Sequence, residues 1–160
     1  MGVLQTTYVE RISAAVAGLV ADMAKSNIDT RSVETVAGIG FGLACGKGVD
    51  DKGVVLGATL TSDFVGISVR DTTLPPIIGA TVDVYPRYSS AGILTEGDIW
   101  ALVGGNVVDG GIVTYNNVTG VLSSIAPGAG QFLVIGARWM TTALSGTLAV
   151  VRLTGVLGSV

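Results

Sequence analysis

VVDGGIVTYNNVTG (Val107–Gly120) sets short apolar runs between turn residues. Two branched-apolar runs flank Asp109-Gly110-Gly111, and a tyrosine-bearing run ends in a second turn region at Asn116–Gly120. β-Branched and aromatic side chains suit a pleated strand, and an Asp-Gly step between two such runs is a strong hairpin signal. The spacing predicts that Val107 and Val108 lead in, Asp109-Gly110-Gly111 turns, and Ile112–Tyr115 returns. No histidine, cysteine or lysine lies nearby. The stretch specifies backbone shape, with glycine supplying positive φ and close approach.

The same rhythm runs outward in both directions. Upstream lie GIGFGLACG (38–46), KGVVLGATL (52–60), DFVGISVR (63–70), ATVDVYPRY (80–88) and AGILTEGDIWALVG (91–104). Downstream lie TGVLSS (119–124), QFLVIGARWM (131–140) and GTLAVVRLTG (146–155). Short branched runs with a turn signal about every ten residues predict an all-β domain, a compact antiparallel β-barrel or β-sandwich of about 8–10 short strands. Val82 and Val84 share one face of their run while Asp83 and Tyr85 share the other. Pro86 should demote that strand to an edge or bend it, and Pro75–Pro76 marks a stiff loop.

Composition changes near Ser26–Arg31. The chain therefore divides into residues 1–29, an N-terminal arm or short amphipathic helix, and residues 30–160, the β-domain. In the first part Val9, Ile12, Val16, Leu19 and Met23 follow a helical period. Thr7 and Glu10 form a capping box. Gly18 opposes a helix at about 1 kcal/mol relative to alanine. In either form the segment is expected to pack against something outside the β-domain.

The 160 residues are 49% apolar and 13% charged, with net charge −3. Ordinary soluble domains carry roughly 25% charged residues, so a surface this poor in charge is either partly covered, which points to an assembly, or very glycine-rich and compact. The nine Lys and Arg are scattered with no two adjacent, which provides no basic patch for direct nucleic-acid binding. No apolar run reaches the roughly 18 residues of a membrane span. ISAAVAGLV (12–20) follows Glu10 and Arg11 and reads as mature protein, not signal peptide.

The absence of histidine removes Ser-His-Asp and Cys-His nucleophile pairs and histidine metal sites. Cys45, the one cysteine, reads as a small buried hydrophobe. Glu96 and Asp98 form a nearby carboxylate pair, but Gly97 between them favours solvated turn carboxylates over a glycosidase pair. The acidic residues Asp50, Asp51, Asp63 and Asp71 match no calcium-loop pattern. GIGFG (38–42) lacks the dinucleotide-binding spacing and reads as tight strand packing. Asn117-Val118-Thr119 is a formal glycosylation sequon without a secretion signal. Trp100 and Trp139 lie in apolar runs and read as core, with an interface anchor as the alternative.

An ordered series of motifs resembles one family. It comprises TRSVETVAGIGFGLACGKG (30–48), FVGISVRD (64–71), VYPRYSSAGILTEGDIWA (84–101), GGNVVDGGIVTYNNVTGVLSS (104–124) and GARWMTTALSGTLAVVRL (136–153). Together these are similar to the structural cement, or capsid decoration, proteins of tailed bacteriophages. One departure is that the family's Gly-Asp in the hairpin is Gly110-Gly111 here, so no role passes to that aspartate.

The resemblance implies a non-enzymatic virion protein with no cofactor and no metal. Such proteins sit on the outer capsid surface, are made in the host bacterial cytoplasm, and clamp neighbouring major capsid protein subunits as homodimers or homotrimers. Their N-terminal region often extends as an arm. Candidate partner contacts are therefore Tyr8, Val9, Ile12, Val16, Leu19 and Met23 in the first segment, and Asp109 and Gly110 in the turn. Two readings from other classes stand beside this one. The first is a small-molecule or glycan-binding β-barrel using Tyr85, Tyr88 and Trp100. The second is a glycosidase using Glu96 and Asp98.

Overall fold

A computed structural model describes residues 15–22, 24–58, 63–73 and 83–159. Among them are eleven strands and no helix. These are β1 (Asn27–Val33), β2 (Ile39–Gly40), β3 (Ala44–Lys47), β4 (Gly53–Leu56), β5 (Phe64–Ser68), β6 (Val84–Tyr85), β7 (Ser90–Leu102), β8 (Ile112–Asn116), β9 (Leu122–Ser123), β10 (Gln131–Trp139) and β11 (Leu148–Ser159). The expected all-β fold is present.

Nine strands form one sheet in the order β1-β4-β3-β5-β7-β11-β10-β8-β9, and β1 also pairs with β7. That extra pairing closes β1, β4, β3, β5 and β7 into a ring, which removes open edges. The ladders are antiparallel except β1–β4, where Ser32 and Val33 lie parallel to Gly53 and Val54. A second closure returns β9 to the end of β7. Val103 bridges to Leu122, and the Gly104 N–H donates to the Leu122 carbonyl at 2.8 Å.

β7 belongs to both rings. Leu94 has Ile28 on one side and Ile67 on the other, whereas Ile99 lies between Val20 and Val151. On one edge β5 gives way to β11 between Leu94 and Glu96.

The wall β3-β5-β7 is buried on both faces. Ala44, Phe64, Ile67 and Leu94 enter one core with Tyr115, Leu122, Trp139 and Val151. Cys45 and Ile93 enter the other with Val33, Ile39, Val54 and Tyr85, and Val65 packs against it. Successive residues on a strand point to opposite faces, so Ala44/Cys45 and Ile93/Leu94 each supply one side chain to each core. This explains why these segments read as continuous apolar runs and not as alternating ones. The short β2–β6 pair covers the second core, where Phe41 and Tyr85 meet edge to face with ring centroids 5.2 Å apart. β6 stops at Tyr85, one residue before Pro86, which has no N–H to continue the ladder.

Three expectations are corrected. First, Val107–Tyr115 is not a hairpin. Val107 bridges to Ala143 with N–H···O distances of 2.9 and 3.1 Å, and Asp109-Gly110 is a turn from that bridge into β8. The hairpin lies one turn later, where β8 and β9 pair across Asn116–Gly120. The Asn116 side chain accepts from the Val118 and Thr119 N–H groups, which fixes that turn locally.

Second, residues 15–22 are not helical. Gly18 has φ +82°, and the segment lies along β7. The N–H groups of Gly18 and Ala21 donate to the carbonyls of Trp100 and Asp98 at 2.8 and 2.7 Å, and the Trp100 N–H donates to Leu19 at 2.9 Å. Backbone satisfaction by β7 outweighs the helical period. Third, this part of the N-terminal segment therefore packs on the β-domain itself. The capping box and residues Tyr8, Val9, Ile12 and Met23 lie outside the described residues, as do Val82 and Pro75–Pro76.

Candidate functional site

The sequence-derived contact residues that the structure describes fall in two places. Val16 and Leu19 sit on the segment bound to β7, and their side chains remain 45% and 44% exposed. Asp109 and Gly110 form an exposed turn at a different point of the fold. The Asp109 N–H donates to the Thr142 hydroxyl at 3.2 Å and the Gly110 N–H to the Trp139 carbonyl at 2.8 Å. A methyl group on Gly110 would meet nothing within 4 Å, and Gly110 has φ +75°. The turn is thus held from behind and open in front, flanked by Val108 at 63% exposure.

Glu96 and Asp98 are not turn carboxylates. Both lie inside β7, and Gly97 takes φ +123° within an unbroken β7–β11 ladder. Asp98 is buried, and Arg152, directly opposite on β11, holds its carboxylate. Glu96 pairs with Lys25 at 3.1 Å. These charges line an open hollow of about 400 Å³, bordered also by Ala24, Leu153 and Thr154. Each carboxylate is matched by a cation, so the hollow holds two ion pairs and not the free carboxylate pair a glycosidase sets across a sugar.

The aromatic trio proposed for a ligand cavity does not converge. Tyr85 is buried, and its hydroxyl donates to the Val69 carbonyl at 2.8 Å. Burial also raises its pKa. Tyr88 is exposed and Trp100 is half-buried. None of the three lines the hollow above or a second one of about 260 Å³ beside Asn116, Thr119, Ser123 and Gln131. Trp139 is fully buried, and its indole N–H donates to the Ser123 carbonyl at 3.2 Å. Cys45 is buried as expected, and desolvation pushes its thiol up to about 12. Among the described residues no three His, Cys, Asp or Glu side chains cluster as a metal would require.

Sequence reasoning missed one device. The Glu34 carboxylate accepts the N–H groups of Val49 and Asp50 at 2.8 and 2.9 Å. These bonds hold its pKa below the ordinary value. A methyl group on Gly48 or Gly53 would collide with this carboxylate, so both glycines are there to admit it. The glycines were legible as turn signals, but nothing local announced a carboxylate fifteen residues away.

The class defined by the fold is an all-β protein with two fused cores. A family model described as structural cement protein (E217 gp24/Pam3 gp6) matches residues 4–154. The chain belongs to this family and is a structural, capsid-stabilising protein. A chain from the solved structure titled "The capsid of Myoviridae Phage XM1" has the same fold. It has a TM-score of 0.69 at 15% identity, covering 96% of this chain and 98% of that one. No curated protein matches the sequence.

Proposed function

We propose that this protein decorates the outer surface of the assembled head and bridges neighbouring major capsid protein subunits. The family match over residues 4–154 carries this reading. It acts as a homo-oligomer, a dimer or trimer, without catalysis, and is made in the host cytoplasm before joining the virion. The first segment, residues 1–29, together with the Asp109-Gly110 turn, supplies contacts. Tyr8, Val9, Ile12 and Met23 stand as candidates outside the described residues, beside Val16 and Leu19.

The mechanism is mass action. A ligand that binds the assembled shell and not free subunits stabilises the shell by its binding free energy. The low charge fraction supports a lasting interface over a transient one. The test is to add purified protein to undecorated capsids and measure co-sedimentation and the temperature of rupture. Binding with a raised rupture temperature is the expected result. Lack of binding together with unchanged rupture rejects the reading.

A further inference from the structure

Fourteen described residues have positive φ, of which twelve are glycines. The other two are Asp83 and Tyr88, each with φ 65°. Aspartate tolerates the left-handed region because its short side chain can hydrogen-bond locally, whereas a bulky aromatic there is an outlier that costs on the order of 1–2 kcal/mol. Strain of this kind persists only where the surroundings fix it, and it concentrates at functional positions.

Tyr88 is fixed. Its N–H donates to the Val33 carbonyl at 2.8 Å, and the Ser89 N–H and hydroxyl both donate to the Pro86 carbonyl, at 3.1 and 2.7 Å. Its side chain has no internal role to justify the strain, being 73% exposed. Arg87 lies over the ring, 4.5 Å from its centroid, and its charge also acts on the Glu34 carboxylate, with no ion pair to it within 4 Å.

The neighbouring turn is set in the same manner. Val33 lies between the two turns, since Glu34 follows it and grips Val49 and Asp50. Val49 is thereby held on a fixed backbone with its side chain 95% exposed. An aromatic, an arginine and a valine presented on pinned turns form a pre-organised anchor, and tyrosine and arginine are enriched where binding energy concentrates.

We propose that the Pro86–Ser89 turn is the anchor by which this protein docks on the shell. Tyr88 enters an apolar depression of a capsid subunit, Arg87 meets a carboxylate at its rim, and Val49 lies against the same partner. This rests on the capsid-binding reading above and assigns the contact to residues outside the first segment and the Asp109-Gly110 turn.

Tyr88→Gly is the decisive variant, because glycine suits φ 65° and removes only the exposed ring. Wild type, Tyr88→Gly, Tyr88→Phe and Arg87→Glu are titrated against undecorated capsids, with melting temperature and solution mass measured in parallel. Tyr88→Gly is expected to melt no lower than wild type and to bind roughly tenfold more weakly or worse. Arg87→Glu, which keeps the backbone hydrogen bonds of the Pro86–Ser89 turn, should weaken binding similarly, and Tyr88→Phe should retain it. The proposal is overturned if Tyr88→Gly and Arg87→Glu both bind within about twofold of wild type. It is equally overturned if their loss of binding follows a change in oligomer mass, since Tyr88 then seats a second copy. Wild type that fails to bind would instead reject the capsid reading itself.

Discussion

Asp98 and Arg152 face each other across the β7–β11 ladder, joined by two hydrogen bonds, Nε to Oδ1 at 2.8 Å and Nη2 to Oδ2 at 2.7 Å. The aspartate side chain is 8% exposed and the arginine 47%. A buried carboxylate deprived of its partner keeps its desolvation penalty and loses the attraction that offset it. Arg152→Met is therefore expected to lower the melting temperature more than Asp98→Asn combined with Arg152→Met does. Thermal melts of Arg152→Met, Asp98→Asn and the double variant check this, and additive losses would show that the pair is not coupled.

Glu34 gives the protein an acid-sensitive turn. Its pKa is lowered in the fold, chiefly by the hydrogen bonds from Val49 and Asp50. A group with a depressed folded pKa contributes in full above its unfolded value and loses that contribution as pH falls through the folded value. The amide resonances of Val49 and Asp50 should therefore shift together with a midpoint below the ordinary glutamate range. Glu34→Gln should abolish that titration.

Glycines at Gly57 and Gly110 share a backbone region but not surroundings. Gly57 has φ +68°, and a methyl group there would run into the Asn117 carbonyl, which is backbone and cannot move aside. Gly110 faces open space. Gly110→Ala should cost only the left-handed strain, about 1–2 kcal/mol. Gly57→Ala should cost more, to the point of poor folding. Denaturant midpoints of the two variants measure the difference.

Trp139 fills the larger core and satisfies the Ser123 carbonyl. Trp139→Ala is expected to destabilise by about 3–5 kcal/mol through cavity formation. Trp139→Phe, which retains much of the volume but removes the N–H donor, should cost less. Urea unfolding resolves both.

The Cys45 thiol, pushed up to about 12 and fully buried, should resist alkylation at neutral pH. Labelling by a maleimide should proceed only as fast as the molecule opens. Rapid labelling of folded protein would contradict the burial.

Most of the strand pattern was legible because branched runs and glycine turns are local signals. β1 was not. Its sequence NIDTRSV interleaves its three β-branched residues with Asp29, Arg31 and Ser32, has no continuous apolar run, and becomes a strand by pairing with β7 and β4. Tertiary pairing overrode weak propensity there. The same cause misplaced the first hairpin, since Ala143, which claims Val107, lies far along the chain. Asp98 read as solvated because Arg152 is 54 residues away. The family was recognisable from ordered motifs, whereas the candidate anchor was not. Tyr88 betrays itself by a backbone angle, which no composition or spacing reveals.

The strand shared by both rings has a mechanical consequence. β7 is paired along its length, through six residue pairs with β1 and seven with β11. A pull directed along β7 loads these ladders in shear, so many hydrogen bonds must yield together instead of opening one at a time. A protein built around such a strand resists separation of its two halves by sliding, and not only by the burial of its two cores.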